Sequence, residues 1–281
     1  MIPQKYLLNL IETALQEDVG DGDHTSLSCF PPDSTGKAKI IAKQSGIIAG
    51  VLIAEKVFKY CSEKIRVKIN KNDGEFVNHG DLILHISGPK IKILEAERTA
   101  LNFLQRLSGI ATETHKYAEK IKGLNTKILD TRKTTPGLRL LEKYAVKTGG
   151  GENHRIGLYD MIMLKDNHID FAGGVRNAIN NANDYLKKKN KKLKIVIEVR
   201  NIAELEQVIA TGNINRIMLD NFSIDETEKA VKIINKRYEI ESSGNITLNN
   251  VREYAECGVD YISVGAITHQ IKSLDLSLKA I

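Results

Sequence analysis

The apolar positions of this chain change period near its middle. From Lys5 to Asp18, Leu7, Leu8, Ile11, Ala14 and Leu15 recur at helical spacing and predict a helix with one buried face. Gly36–Lys43 and Ile65–Ile69 read as strands. Asn72-Asp73-Gly74 reads as a turn, and Gly80-Asp81 opens a further strand through Leu82, Leu84 and Ile86. Ile93–Leu107 predicts a second helix, carrying Glu95, Glu97, Arg98 and Asn102. This first half is α+β in pattern.

From about Thr126, short apolar runs alternate with amphipathic ones. The runs 126–130, 161–165, 194–199, 216–220, 238–242 and 261–265 predict strands. The stretches 137–147, 171–187, 202–211, 224–236 and 248–257 predict the helices between them. Such alternation implies parallel strands with right-handed crossovers. An open doubly wound sheet is the alternative, but no GxGxxG turn follows an early strand, which favours a barrel.

Composition narrows the class. Of 281 residues 42% are hydrophobic, too many for disorder, and no apolar run approaches the ~20 residues of a membrane span. The start, Met1 to Lys5, lacks the apolar core of a secretory signal, so cytoplasmic residence is expected. Cys29, Cys61 and Cys257 are odd in number and far apart, which fits a reducing compartment better than a disulfide framework. The net charge of +6 suits an anionic metabolite or nucleic acid. The densest basic run, 187–194, has no interleaved aromatic residues, and the chain has no Trp, so a nucleic-acid surface is disfavoured.

Candidate chemistry lies where the predicted strands end. Asp130 and Arg132 follow Ile128-Leu129, and Lys165 follows Met163-Leu164. Glu198 follows Ile195-Val196-Ile197, and Asp220 follows Met218-Leu219. Ser243-Gly244 and Gly265 follow two later strands. In a parallel barrel these ends share one mouth. Arg132, Lys133, His154, Arg155 and Lys165 form a cationic set suited to carboxylate or phosphate. Glu198 and Asp220 form an acidic pair able to accept from sugar hydroxyls, hold Mg²⁺ directly or through water, or stabilise developing positive charge. The glycines offer backbone N–H groups to a phosphate. Together these suggest a sugar phosphate beside an anionic co-substrate. Plainer readings stand beside this one: an Asp130–Arg132 ion pair, Gly149-Gly150-Gly151 as a flexible loop, and His168 as a cap for the next helix or a group that orients Lys165.

The segment Asp130-Thr131-Arg132-Lys133-Thr134-Thr135-Pro136-Gly137-Leu138-Arg139 strongly resembles the quinolinate phosphoribosyltransferases. The likeness continues through Lys143–Arg155, Lys165-Asp166-Asn167-His168, Leu219-Asp220-Asn221-Phe222 and Ile262–His269. Upstream it takes in Glu97–Asn102, Leu107–Thr112 and Glu17-Asp18-Val19-Gly20, and so covers essentially the whole chain. The resemblance implies an N-terminal α/β sandwich over 1–107 and an incomplete parallel α/β barrel over 108–281, a type II phosphoribosyltransferase-like fold. The tail from about 270 is expected to pack on the first domain. It also implies a homodimer or homohexamer in which Arg98 enters the neighbouring subunit's site. Residue by residue, Arg98, Arg132, His154 and Arg155 would hold the carboxylates of quinolinate. Lys133 and Lys165 would face the acid and the pyrophosphate of phosphoribosyl pyrophosphate. Glu198 and Asp220 would take the ribose hydroxyls, with Mg²⁺ at the pyrophosphate held by them at most indirectly. Ser243, Gly244, Gly265 and His269 would hold the 5′-phosphate. Lys133, Lys165, Glu198 and Asp220 are thus the catalytic candidates.

One departure is visible. Many members read Glu-Ala-Ser-Gly-Gly-Ile where this chain has Glu241-Ser242-Ser243-Gly244-Asn245-Ile246. Asn tolerates positive φ better than most residues, so the loop is expected to keep its shape. Two rival readings stand beside this one. A relative taking nicotinate would have no carboxylate to lose. A carrier-type hairpin at Asp73–Asp81 would need a modifiable Lys at its turn, and none is there.

Overall fold

The computed structural model describes residues 2–281. In chain order it has α1 (Gln4–Val19), α2 (His24–Cys29), β1 (Thr35–Ala42), β2 (Gly46–Ile47), α3 (Val51–Cys61), β3 (Arg66–Ile69), β4 (Phe76–Val77), β5 (Leu82–Pro89) and α4 (Lys90–Lys120). Next come β6 (Lys127–Leu129), α5 (Arg139–Thr148), β7 (Ile162–Leu164), α6 (Asp166–Phe171), α7 (Val175–Lys188), β8 (Ile195–Val199) and α8 (Ile202–Thr211). The chain continues with β9 (Arg216–Asp220), α9 (Ile224–Ile234), β10 (Glu239–Ser243), α10 (Val251–Glu256), β11 (Tyr261–Ser263), α11 (Ala266–His269) and β12 (Leu276–Ala280).

Two compact units result. The first comprises residues 1–115, 140–150 and 270–281, so α5 and the segment after His269 belong with the N-terminal elements. Its antiparallel sheet has the order β12-β1-β5-β3. Alternation along β1 buries Ala38, Ile40 and Ala42 and turns Lys37 and Lys39 outward, the pattern of a sheet covered on one face. Leu7, Ile11 and Leu15 of α1 are buried, as the helical spacing required, and Gly20 ends that helix at φ 56°. Asp73 has a structural task at its turn: it accepts from the Val51 N–H, 2.9 Å, at the start of α3, and from the Tyr144 hydroxyl of α5.

The helix expected over 93–107 runs on to Lys120, through a Ser-Gly pair that resembles a stop. Packing explains this. Ser108 Oγ accepts from the Ala49 N–H at 3.0 Å, and a Cβ on Gly109 would lie 2.4 Å from the Lys272 carbonyl oxygen. Glycine here admits another backbone and does not terminate the helix. The pattern also underreads α3, whose buried face is Val51, Ile53, Ala54, Val57 and Phe58.

The second unit comprises residues 116–139 and 151–269. Its six strands are all parallel, in the order β6-β11-β10-β9-β8-β7. Strands β7 to β11 pair with their sequence neighbours and β6 pairs with β11, so the order is cyclic. A doubly wound sheet would reverse direction partway, so this is the barrel. It is incomplete, since β6 and β7 do not pair. Glu152 instead forms a single parallel bridge to Leu129 on the free edge of β6. The core strands are nearly continuous apolar runs, with Ile195, Val196, Ile197, Ile217, Leu219, Ile240 and Ile262 buried, as expected of parallel strands covered on both faces. Helices enter through side-chain caps. Asn201 accepts from the Glu204 N–H to start α8, and Ser223 and Glu226 form a capping box at α9.

Candidate functional site

The barrel unit gathers at its strand ends every site candidate except Arg98, which is exposed on α4 in the first unit. One wall begins at Asp130, buried at the end of β6. Its carboxylate accepts from the His154 N–H, 2.9 Å, and from the Asn153 amide, 2.6 Å. Asp130 thus fastens the turn carrying His154 and Arg155 to the strand that delivers Arg132 and Lys133. A second tie comes from Arg139, which donates to Thr134 Oγ1, 3.0 Å, and to the Ile156 carbonyl, 3.0 Å. Asp160 closes the following loop by accepting from the Ile156 and Gly157 N–H groups at 2.8 and 2.9 Å.

Arg132 and Lys133 are exposed, whereas Arg155 is buried and donates to the Met161 carbonyl at 3.2 Å. Burial, and after it the charge of Arg132, lowers the Arg155 pKa, so the two guanidinium groups are near enough to repel each other. A cluster of like charges is the electrostatic signature of a site for an oppositely charged ligand. The His154 ring points inward: its Nδ1 accepts from the Arg155 N–H, 2.7 Å, and its Nε2 lies 3.4 Å from Glu241 Oε2.

The opposite wall is acidic. Glu198 and Asp220 lie at the ends of β8 and β9, and the Lys165 ammonium stands 3.0 Å from Glu198 Oε1. Burial raises the Glu198 pKa; Lys165 opposes this, while Asp220 and Asp166 add to it. Asp220 accepts from Ser243 Oγ and from the Asn221 amide, each at 2.9 Å. His168 accepts through Nδ1 from the Lys165 N–H, 3.2 Å, and so caps α6.

The glycine-bearing ends complete the mouth. A Cβ on Gly265 would lie 3.0 Å from His269 Nε2 and 3.1 Å from Lys133 Cδ, so both side chains rest against that glycine. Thr268 Oγ1 donates to the Lys133 carbonyl at 2.8 Å, joining β11's exit to β6's. Gly244 has φ 87°, and a Cβ there would fall 2.1 Å from Asn221 Oδ1. Asn245 adopts φ 53° and donates to Asn221 Oδ1 at 3.1 Å, so the loop keeps a left-handed residue where the family pattern has glycine. Gly265 directly precedes α11, whereas six residues separate Gly244 from α10, so only one of the two glycines opens onto a helix.

Sequence reasoning passed over the barrel interior. Glu241 is wholly buried in β10 and accepts from Arg216 Nη1 at 2.8 Å and from the Ser263 hydroxyl. Arg216 also donates to Glu239 through Nε, 3.0 Å, and stacks 3.8 Å above the Tyr261 ring. A Glu inside an apolar strand was the available signal.

A parallel α/β barrel whose mouth sets a cationic wall against an acidic pair and glycine-bearing turns defines an enzyme class that handles phosphorylated, polyanionic small molecules. Comparison with known proteins makes the assignment specific. Residues 23–108 match the N-terminal domain, and residues 110–279 the C-terminal domain, of quinolinate phosphoribosyl transferase. The chain belongs to this family. It is 44% identical to the chloroplastic nicotinate-nucleotide pyrophosphorylase [carboxylating] of Arabidopsis thaliana, covering 99% of this chain and 83% of that protein. It is 42% identical to the probable enzyme of that name from Bacillus subtilis, covering 97% and 92%. The crystal structure of NadC from Streptococcus pyogenes superposes with a TM-score of 0.94 at 39% identity, covering 100% of this chain and 99% of that one.

Proposed function

We propose that this chain transfers the phosphoribosyl group of phosphoribosyl pyrophosphate to the ring nitrogen of quinolinate. The products are nicotinate mononucleotide, pyrophosphate and CO₂, a step of NAD biosynthesis. The observation that carries this reading is the mouth itself, in which Arg132, Lys133 and Arg155 share the strand ends of one barrel with the Glu198–Asp220 pair. A dicarboxylate suits the cationic wall, since guanidinium groups grip carboxylates in pairs of hydrogen bonds. A ribose suits the acidic wall, which accepts from hydroxyls and favours the positive charge that develops at C1 as pyrophosphate departs. His269 and the Gly265 backbone, with Ser243 and Gly244, hold the 5′-phosphate, while Lys133 faces the acid and the pyrophosphate. Lys165 offsets charge on the leaving pyrophosphate. After transfer, C2 loses CO₂ to leave an in-plane electron pair stabilised by the adjacent pyridinium nitrogen, and that carbon then takes a proton from solvent, so no covalent enzyme nucleophile is needed.

Mg²⁺ belongs to this reading. Among the described residues no cluster of three or more His, Cys, Asp or Glu side chains forms a metal cage. The pair Glu198 and Asp220, with Glu198 already matched by Lys165, fits an ion that takes most of its ligands from pyrophosphate and water. Such an ion supplies charge neutralisation to the leaving group.

Assembly as a homodimer or a hexamer of dimers, with Arg98 completing a neighbour's site, is part of the same proposal. So is cytoplasmic residence, supported by three free cysteines. No helix among the described residues is long and apolar enough to cross a membrane. The deciding experiment is incubation with quinolinate, phosphoribosyl pyrophosphate and Mg²⁺. Formation of nicotinate mononucleotide with stoichiometric CO₂ is expected. Turnover of nicotinate in place of quinolinate, with no CO₂, would reject it.

A further inference from the structure

We propose that Glu241 is a positioning residue: from inside the barrel it holds the His154 ring in one tautomer and orientation, and through it the Arg155 end of the cationic wall. This rests on the phosphoribosyl-transfer reading only for which substrate Arg155 grips.

Barrel interiors are normally filled by layers of branched apolar side chains. Glu241 breaks such a layer, lying opposite Met218 of β9 and Tyr261 of β11 with no access to solvent. An ion in that position costs several kcal/mol in desolvation unless it is fully paired. Burial alone pushes its pKa up. The His154 ring beside it, the charge of Arg216 and the Ser263 hydroxyl outweigh burial and leave the carboxyl below its ordinary value. Both oxygens of Glu241 are engaged: Oε2 accepts from Arg216 and lies 3.4 Å from His154 Nε2, and Oε1 accepts from Ser263.

Stability does not account for this arrangement, because apolar residues of similar volume commonly match or exceed a buried ionic cluster. Orientation does. The Arg155 N–H donates to His154 Nδ1, so that nitrogen carries the lone pair and Nε2 carries the proton, facing the Glu241 carboxylate. A carboxylate behind an imidazole fixes both tautomer and ring plane. The polar relay thus runs from Arg216 at the foot of β9, through Glu241, to His154 and the backbone of Arg155. The Arg155 guanidinium is pinned separately on the Met161 carbonyl. Loss of the relay leaves the wall charged but loose.

The test is the double variant Arg216→Met/Glu241→Leu, which removes both charges and keeps volume, with Glu241→Gln as the conservative partner. ¹⁵N resonances of the His154 ring report its tautomer without any need for turnover. The wild type is expected to show a single form protonated at Nε2, and the double variant a mixture of forms. KM for quinolinate should rise ~10-fold, the lower end for lost outer-shell support. KM for phosphoribosyl pyrophosphate should move less than about 2-fold, and the melting temperature should hold. Glu241→Gln, whose side-chain carbonyl can still face Nε2, should fall between the two. An unchanged ring spectrum in both variants overturns the proposal, as does an equal rise in both KM values. If Arg216→Met/Glu241→Leu does not fold, Glu241→Gln alone decides by the same two readouts. Should the wild type fail to turn over quinolinate, the functional reading falls while the ring spectra still decide the role of Glu241.

Discussion

The Lys165 ammonium stands 3.0 Å from Glu198 Oε1, so an ion pair spans the ends of the adjacent strands β7 and β8 at the barrel mouth. Glu198 nonetheless keeps a pKa above its ordinary 4.5, because burial outweighs the lysine. A carboxyl whose pKa is raised by folding favours the folded state below pH 4.5, and that contribution is lost as pH rises through its folded value. Glu198→Gln is therefore expected to raise the melting temperature of the ligand-free protein at pH 7, with the gain shrinking toward pH 4. Turnover should fall on the order of 10²-fold. Thermal melts across pH, beside steady-state rates, check both halves. A lower melting temperature at pH 7 would count against a site that carries electrostatic strain.

Arg132→Ala and Asp220→Ala should separate the two walls. Losing a charge-assisted hydrogen bond costs about 2 kcal/mol, or roughly 30-fold in affinity. That loss is expected in KM for quinolinate with Arg132→Ala, and in KM for phosphoribosyl pyrophosphate with Asp220→Ala. Initial rates with each substrate varied in turn make the measurement. A swapped pattern would reverse the assignment of the walls.

Gly265→Ala places a methyl group 3.0 to 3.2 Å from the His269 ring and 3.1 Å from Lys133 Cδ. Both neighbours can give by a few tenths of an ångström, so the expected cost is ~1 kcal/mol. The change should show as a higher KM for phosphoribosyl pyrophosphate with little change in melting temperature.

The Gly244–Asn245 turn predicts a graded series. Asn245→Gly keeps φ 53° accessible and should leave stability within about 0.5 kcal/mol, whereas Asn245→Val is expected to cost ~1–2 kcal/mol. Gly244→Ala should be worst, since its Cβ would meet the Asn221 backbone nitrogen at 3.0 Å as well as the side chain. Urea midpoints of the three variants give the order.

If Arg98 serves a neighbour's site, Arg98→Ala and Lys133→Ala should complement each other. In a mixed dimer one site would collect both lesions and the other none, so an equimolar mixture should recover about a quarter of wild-type activity after subunit exchange. No recovery, with exchange verified by mass spectrometry, would mean that each subunit is self-sufficient.

Much of this was legible in the sequence, for physical reasons. The six barrel strands lie within two residues of their apolar runs, because strands buried on both faces leave little choice but continuous hydrophobicity. The polar residues closing those runs fall at one mouth because parallel strands all end on the same side. Beyond α3, two features escaped for reasons of range. Helix α4 continues through Gly109 because a backbone some 160 residues later packs against it, a contact that no local signal carries. The role of Glu241 depends on Arg216, which is 25 residues away in sequence but on the adjacent strand. Pairings at that range are set by register, and register becomes visible only once the sheet is closed.

The pairing of β1 with β12 has a consequence for biosynthesis. Ala38 pairs with Ala280, so the sheet of the first unit cannot be finished until some 240 further residues have left the ribosome. Throughout that interval the nascent chain carries β1 as an open edge, a template for mispairing with other chains. The outward lysines Lys37 and Lys39 then act as gatekeepers, keeping a vulnerable strand soluble while it waits for its last partner.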